Sequence, residues 1–87
     1  MKINITEIQI VPVKPRDGLV AFASFVLDDK LYLGSIAIFT RPDGAYRLLY
    51  PTKKVGERNI HVFYPIQKSF AVAIEVAVIK KFEEVTK

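Results

Sequence analysis

Three runs of alternating apolar residues, Leu19–Leu27, Leu31–Phe39 and Tyr46–Tyr50, are joined by the very short connections Asp28-Asp29-Lys30 and Arg41-Pro42-Asp43-Gly44. Period-two alternation is the mark of a strand, and Asp, Pro and Gly between the runs are turn formers. A parallel crossover needs about a dozen residues or more, so strands joined this closely must be antiparallel neighbours, which makes a meander. In the first of these runs Leu19, Ala21, Ala23, Phe25 and Leu27 form one face, and Val20, Phe22, Ser24 and Val26 the other. Both faces are mostly apolar, which predicts a central strand covered on two sides. An earlier run through Ile8, Ile10, Val11 and Val13 enters the meander by way of Lys14-Pro15-Arg16-Asp17-Gly18. Pro12 lacks a ladder donor, so this first strand should lie at an edge or end there.

The chain has 87 residues, 51% of them hydrophobic and 25% charged, and no cysteine. That composition is globular, and the length corresponds to a single domain spanning residues 1–87. A chain this small buries a limited fraction of its surface and has no disulfide to compensate, so a partner chain would help it. The start, Met1-Lys2-Ile3-Asn4, carries no signal-peptide pattern, and no run approaches the ~20 apolar residues of a membrane span. The expectation is a soluble cytoplasmic protein.

After Tyr50 the character changes. Pro51–Asn59 reads as a nine-residue loop, followed by a strand in which Ile60, Val62 and Tyr64 alternate with His61 and Phe63 before Pro65 closes it. Thirteen Lys and Arg against nine Asp and Glu give the chain a formal charge of +4. Residues 45–70 hold five bases, Arg47, Lys53, Lys54, Arg58 and Lys68, and one acid, Glu57, while the rest of the chain balances. Concentrated positive charge suits phosphates, through counterion release and, for Arg, a bidentate fork. A solvated connection would have the same composition.

The last third fits two periods. Phe70, Val72, Ile74, Val76 and Val78 alternate as a strand would, while Ile66, Phe70, Ala73, Ile74, Ala77 and Val78 share one helical face, with Ser69 as a candidate N-cap. As a helix, this segment would carry a second apolar strip, Val72, Val76 and Ile79, that one sheet cannot cover. That strip would then call for a homodimer.

The order of features resembles the stage V sporulation protein G (SpoVG) family, the septation proteins. Ile5-Thr6-Glu7-Ile8-Gln9-Ile10 is similar to the family's first strand, and Ala21-Phe22-Ala23-Ser24-Phe25-Val26-Leu27-Asp28 to its Ala-x-Ala-Ser-x-x-Leu-Asp core. Pro51-Thr52-Lys53-Lys54 resembles its Pro-Ser-Lys-Arg segment, Pro65-Ile66 the Pro-Ile before its helix, and Ala77-Val78-Ile79 the Ala-Val-Leu within it. The resemblance runs from about residue 5 to residue 84. It implies an α+β fold, a small antiparallel meander of about five strands followed by one C-terminal helix over residues 66–85, assembled as a dimer. It further implies a bacterial regulator, tied by the family's name to sporulation and septation, that binds DNA and RNA. Lys53, Lys54, Arg58, Arg47 and Lys68 would be the nucleic-acid contacts, and Val72, Val76 and Ile79 the dimer interface. The chain departs from the pattern where members place an Arg shortly after Pro-Ile, since Phe70-Ala71-Val72 stands there, with Lys68 as a partial substitute. The acidic tail of many members has no counterpart up to Lys87.

No catalytic constellation accompanies these features. Asp28-Asp29, Asp17-Gly18 and Asp43-Gly44 are turn formers, and no Gly-rich phosphate loop or Ser-His-Asp arrangement occurs. His61 is the lone histidine, so a metal site would need carboxylates, and neither metal nor other cofactor is expected. Tyr46, Tyr50, Phe63 and Tyr64 are candidates for stacking on bases, or for core and interface. Two functions stand: a dimeric DNA- or RNA-binding regulator, and a non-enzymatic protein-interaction module on the same scaffold.

Overall fold

The computed structural model describes residues 3–86. Strands β1 (Ile5–Arg16), β2 (Leu19–Leu27), β3 (Leu31–Thr40) and β4 (Tyr46–Leu49) form one antiparallel sheet in the order β1-β2-β3-β4. Strands β5 (Thr52–Val55) and β6 (Arg58–His61) form a separate two-stranded sheet, and helix α1 (Lys68–Val85) ends the fold. The α+β meander and its C-terminal helix are therefore present, with six strands in two sheets in place of about five in one.

The turns follow from residue type. Arg16 pairs with Leu19 across Asp17 and Gly18, whose φ angles of 52° and 90° give the backbone of a type I′ turn. Asp28 and Asp29 also sit at positive φ in the β2–β3 connection. There Asp28 accepts the Asn4 N–H on Oδ1 at 3.0 Å and donates its own N–H to the Asn4 carbonyl at 2.8 Å. The two Asp residues thus form a turn, and Asp28 ties Asn4 to it.

Two bulges flank Phe25. In β1, Glu7 and Ile8 stand opposite Phe25, because Thr6 pairs with Val26 and Gln9 with Ser24; Glu7 has φ 50°. In β3, Gly34 and Ser35 stand opposite Ser24, and Ser35 has φ 60°. An extra residue shifts the two-residue alternation by one. Ile5 and Ile8, and likewise Leu33 and Ile36, therefore all pack toward the core despite their odd spacing.

The core consists of Ala21, Ala23 and Phe25 of β2, Ile36 and Ile38 of β3, and Ile74, Val78 and Phe82 of α1. The three helical residues repeat every four positions and so share one stripe. Burying a side chain such as Ile74 or Val78 contributes about 1.5–3 kcal/mol, which lets packing override the strand-like alternation of this segment. Helix is the outcome for residues 68–85.

Several expectations are corrected. β1 lies at the edge, one of the two outcomes Pro12 allows, and runs through Pro12 and Pro15 to Arg16, so this expectation stands and the following ones change. β2 is central yet covered on one side only, since Phe22 on the opposite face remains 39% exposed. The helix covers the other face alone. Ile66 does not join the buried helical face but is 89% exposed, because the helix begins after it. The N-cap is Gln67, with no side-chain capping bond, and Ser69 lies inside the first turn. No helix of the described residues is long and apolar enough to cross a membrane.

Candidate nucleic-acid interface

The segment expected as a nine-residue loop is largely a hairpin. Thr52 pairs with His61, Lys53 with Ile60, Lys54 with Asn59 and Val55 with Arg58, across a two-residue turn of Gly56 and Glu57. Gly56 has φ 64° and Glu57 does not have positive φ, the pattern of a type II′ turn with Gly first. The strand expected to run on through Val62 and Tyr64 stops at His61, although the Val62 N–H still donates to the Pro51 carbonyl at 2.9 Å. Beyond that bond the chain turns toward the helix, and Pro65 supplies no ladder donor.

Every residue of β5 and β6 is exposed. The hairpin adds no strand to the main sheet and stands off it as an arm. Its register separates the basic side chains. Cross-strand partners share a face, so Lys53, Val55, Arg58 and Ile60 lie on one face, and Thr52, Lys54, Asn59 and His61 on the other. Lys53 and Arg58 are diagonal neighbours, about 7–8 Å apart at the backbone. Like charges that close repel, and an anion between them would remove the repulsion.

Arg47 is elsewhere. It lies on the outer face of the main sheet, with its guanidinium 5.5 Å from the centroid of the Phe39 ring. Lys68 opens α1, where the free N–H groups of the first turn already carry partial positive charge and no acid offsets it. The structure thus brings Lys53, Lys54 and Arg58 onto one arm, with Arg47 and Lys68 at separate positions. The ion pairs of the described residues, Arg16–Asp17 at 3.9 Å and Arg41–Asp43 at 3.5 Å, use none of these five cations.

The four aromatic candidates also separate. Tyr46 meets Phe82 and Tyr50 meets Phe63, edge to face at 5.0 and 5.9 Å, and all four of these rings belong to the core or its margin. Burial, and then the Glu75 carboxylate, push the Tyr50 hydroxyl up to about 12. Tyr64 is different. It is 57% exposed, and its ring centroid lies 5.0 Å from that of His61, also exposed, with the planes tilted by 57°. From the sequence His61 reads as a lone strand histidine short of metal ligands, and its place in a short basic segment is the one signal for its position beside Tyr64.

Of the residues expected at a dimer interface, Val72 and Val76 are exposed and Ile79 is half-buried, on the side of α1 away from Ile74 and Val78. An apolar cleft of about 190 Å³ lies between the β2–β3 end and the helix start, where Leu31, Leu33, Tyr50, Phe63 and Phe70 meet. Among the described residues no three His, Asp or Glu side chains gather as metal ligands would.

The family model for SpoVG matches residues 3–84. A relative from Finegoldia magna, provisionally named septation protein SpoVG, is 32% identical over 82 residues, covering 93% of this chain and 75% of its own length. A second, from Treponema denticola and with the same provisional name, is 27% identical over 82 residues, covering 93% of this chain and 87% of its own. With the meander, the following hairpin and all but the last residue of the C-terminal helix inside the matched residues, the chain belongs to the SpoVG family.

Proposed function

We propose that this chain is a dimeric, non-enzymatic regulator that binds the phosphates of DNA or RNA through the β5–β6 arm, with Lys68 and the uncapped start of α1 as a second contact. The observation that carries this reading is the arm itself. Three cations, Lys53, Lys54 and Arg58, stand on an exposed hairpin with one acid, Glu57, at its tip, and none is ion-paired among the described residues. An isolated two-stranded hairpin is marginal in water, so a polyanion laid along it would both neutralise and order it. Titrating labelled DNA and RNA of mixed sequence at rising salt tests the reading. Affinity that falls linearly on a log–log plot supports it, and affinity indifferent to salt removes it.

The dimer rests on surface as well as pattern. The chain exposes 6591 Å², where a compact monomer of 87 residues would expose about 5,200 Å². The exposed β5–β6 arm contributes part of this excess, and the uncovered outer strip of α1 contributes another part. The helix strip of Val72 and Val76, 51% and 62% exposed, is the apolar surface proposed to meet a second copy.

A specific observation favours the second reading, an interaction module. The arm's Lys53 face also carries Val55 and Ile60, both exposed, and Val62 follows them. Phosphate contact does not require such apolar side chains, and a protein partner would use them.

A further inference from the structure

We infer that His61 and Tyr64 form a stacking platform for unpaired bases, so that the arm takes single-stranded nucleic acid in preference to duplex; this rests on the nucleic-acid reading above and names its ligand class.

The aromatic residues of this region have divided roles. Tyr46, Tyr50 and Phe63 pack edge to face against or at the margin of the core and are half-buried. Tyr64 is 57% exposed beside an exposed His61, and the tilt of 57° between their planes keeps either ring from covering the other face to face. A solvent-facing ring that neither fills the core nor stacks fully on its neighbour is a surface a base can cover. Stacking on aromatic rings is tolerant of sequence because every base has a π-face, but the base must be unpaired and splayed to reach it.

The surroundings suit the rest of a nucleotide. His61 shares its hairpin face with Thr52, Lys54 and Asn59, a face that is wholly polar, whereas Val55 and Ile60 lie on the other. Asn59 precedes His61 by two residues, about 6.8 Å along the strand, and Lys54 is paired with Asn59. A base on the rings therefore brings its backbone toward the flexible Lys54 ammonium, while Thr52 and Asn59 supply groups able to hydrogen-bond base edges. Stacking platform, cation and polar side chains on one face are the parts of a single-strand site. In a duplex the bases already stack on one another, and the rings would gain nothing.

The full chain is titrated with oligothymidylate, oligouridylate and a mixed-sequence duplex, for wild type, Tyr64→Ala and Tyr64→Phe. The expected result is a loss of roughly 5- to 150-fold on the single strands for Tyr64→Ala, with near-wild-type affinity for Tyr64→Phe, which keeps the ring. Duplex affinity and the salt slope on single strands should be unchanged, since the ring bears no charge. A Tyr64→Trp chain, whose tryptophan would be its only one, should have its emission quenched by oligothymidylate and not by duplex, a readout independent of how the Ala variant folds. Equal losses on single strand and duplex, or none on either, overturn the platform while leaving the phosphate reading in place. Failure of wild type to bind any of the probes overturns both.

Discussion

The Tyr46 ring of β4 meets the Phe82 ring of α1 edge to face, with centroids 5.0 Å apart and planes at 70°. The contact holds the last turns of the helix to the far edge of the sheet. Phe82 is 5% exposed, and Phe82→Ala should cost about 3–5 kcal/mol. For a domain whose total stability is about 5–15 kcal/mol, that brings the chain close to unfolding. Urea denaturation measures it, and a loss below about 1 kcal/mol would mean that the end of the helix is not docked this way.

The helix is charged against its dipole. Lys68 opens it and Glu83 and Glu84 lie near its end, while no acid stands in the first turn and no base in the last. Gln67→Asp would supply a capping carboxylate at a position that is already extended, with φ −102° and ψ 127°. Stability should rise by about 1 kcal/mol. Nucleic-acid affinity should fall, because the same carboxylate repels phosphate at the helix start. A gain in stability with no change in affinity would remove the helix start from the interface.

Tyr50 makes stability sensitive to alkali. Burial, and then the Glu75 charge, raise its pKa from 10.0 to about 12, so the folded chain holds this proton more tightly than the unfolded one. The stabilisation is fully present below pH 10 and is lost as pH climbs from 10 through about 12. Thermal melts over that window should show the midpoint falling in wild type and falling less in Tyr50→Phe. Parallel curves would show that the hydroxyl is solvated in the folded state.

Val76→Lys tests the outer strip of α1. Val76 is 62% exposed, so the lysine should not disturb the fold of one chain, yet it would place a charge in the proposed contact between two. Sedimentation at micromolar concentration should show a dimer for wild type and a monomer for the variant. A wild-type monomer would contradict the interface outright.

The legible parts of the fold were those with unambiguous local chemistry. The Asp17-Gly18 turn and the alternation of Leu19–Leu27 and Leu31–Phe39 dictate the meander, and β1, β2 and β3 pair antiparallel in that order. The bulges at Glu7 and Ser35 were hidden, because neither residue is the glycine that positive φ favours. The β5–β6 hairpin was hidden as well. Its strands are four residues each and carry Lys53-Lys54 and Arg58-Asn59 where alternation would be sought, so Gly56-Glu57 looked like part of a loop. Residues 70–78 fit both periods, and the family resemblance, not the spacing, favours helix there. The five cations were legible as a cluster in sequence but not in space, since strand register alone sends Lys53 and Lys54 to opposite faces and Arg47 to another sheet.

The most direct test of phosphate binding by the arm is the salt dependence of duplex affinity in wild type and in the Lys53→Ala/Lys54→Ala double variant. With ~2–3 contacts per chain in a dimer, the wild-type slope of log affinity against log salt should be roughly −4 to −5, at −0.9 per phosphate neutralised. The variant should bind every sequence more weakly with a clearly flatter slope. Unchanged affinity and slope would contradict the account, leaving the arm a solvated hairpin and the interaction module the better description of this chain.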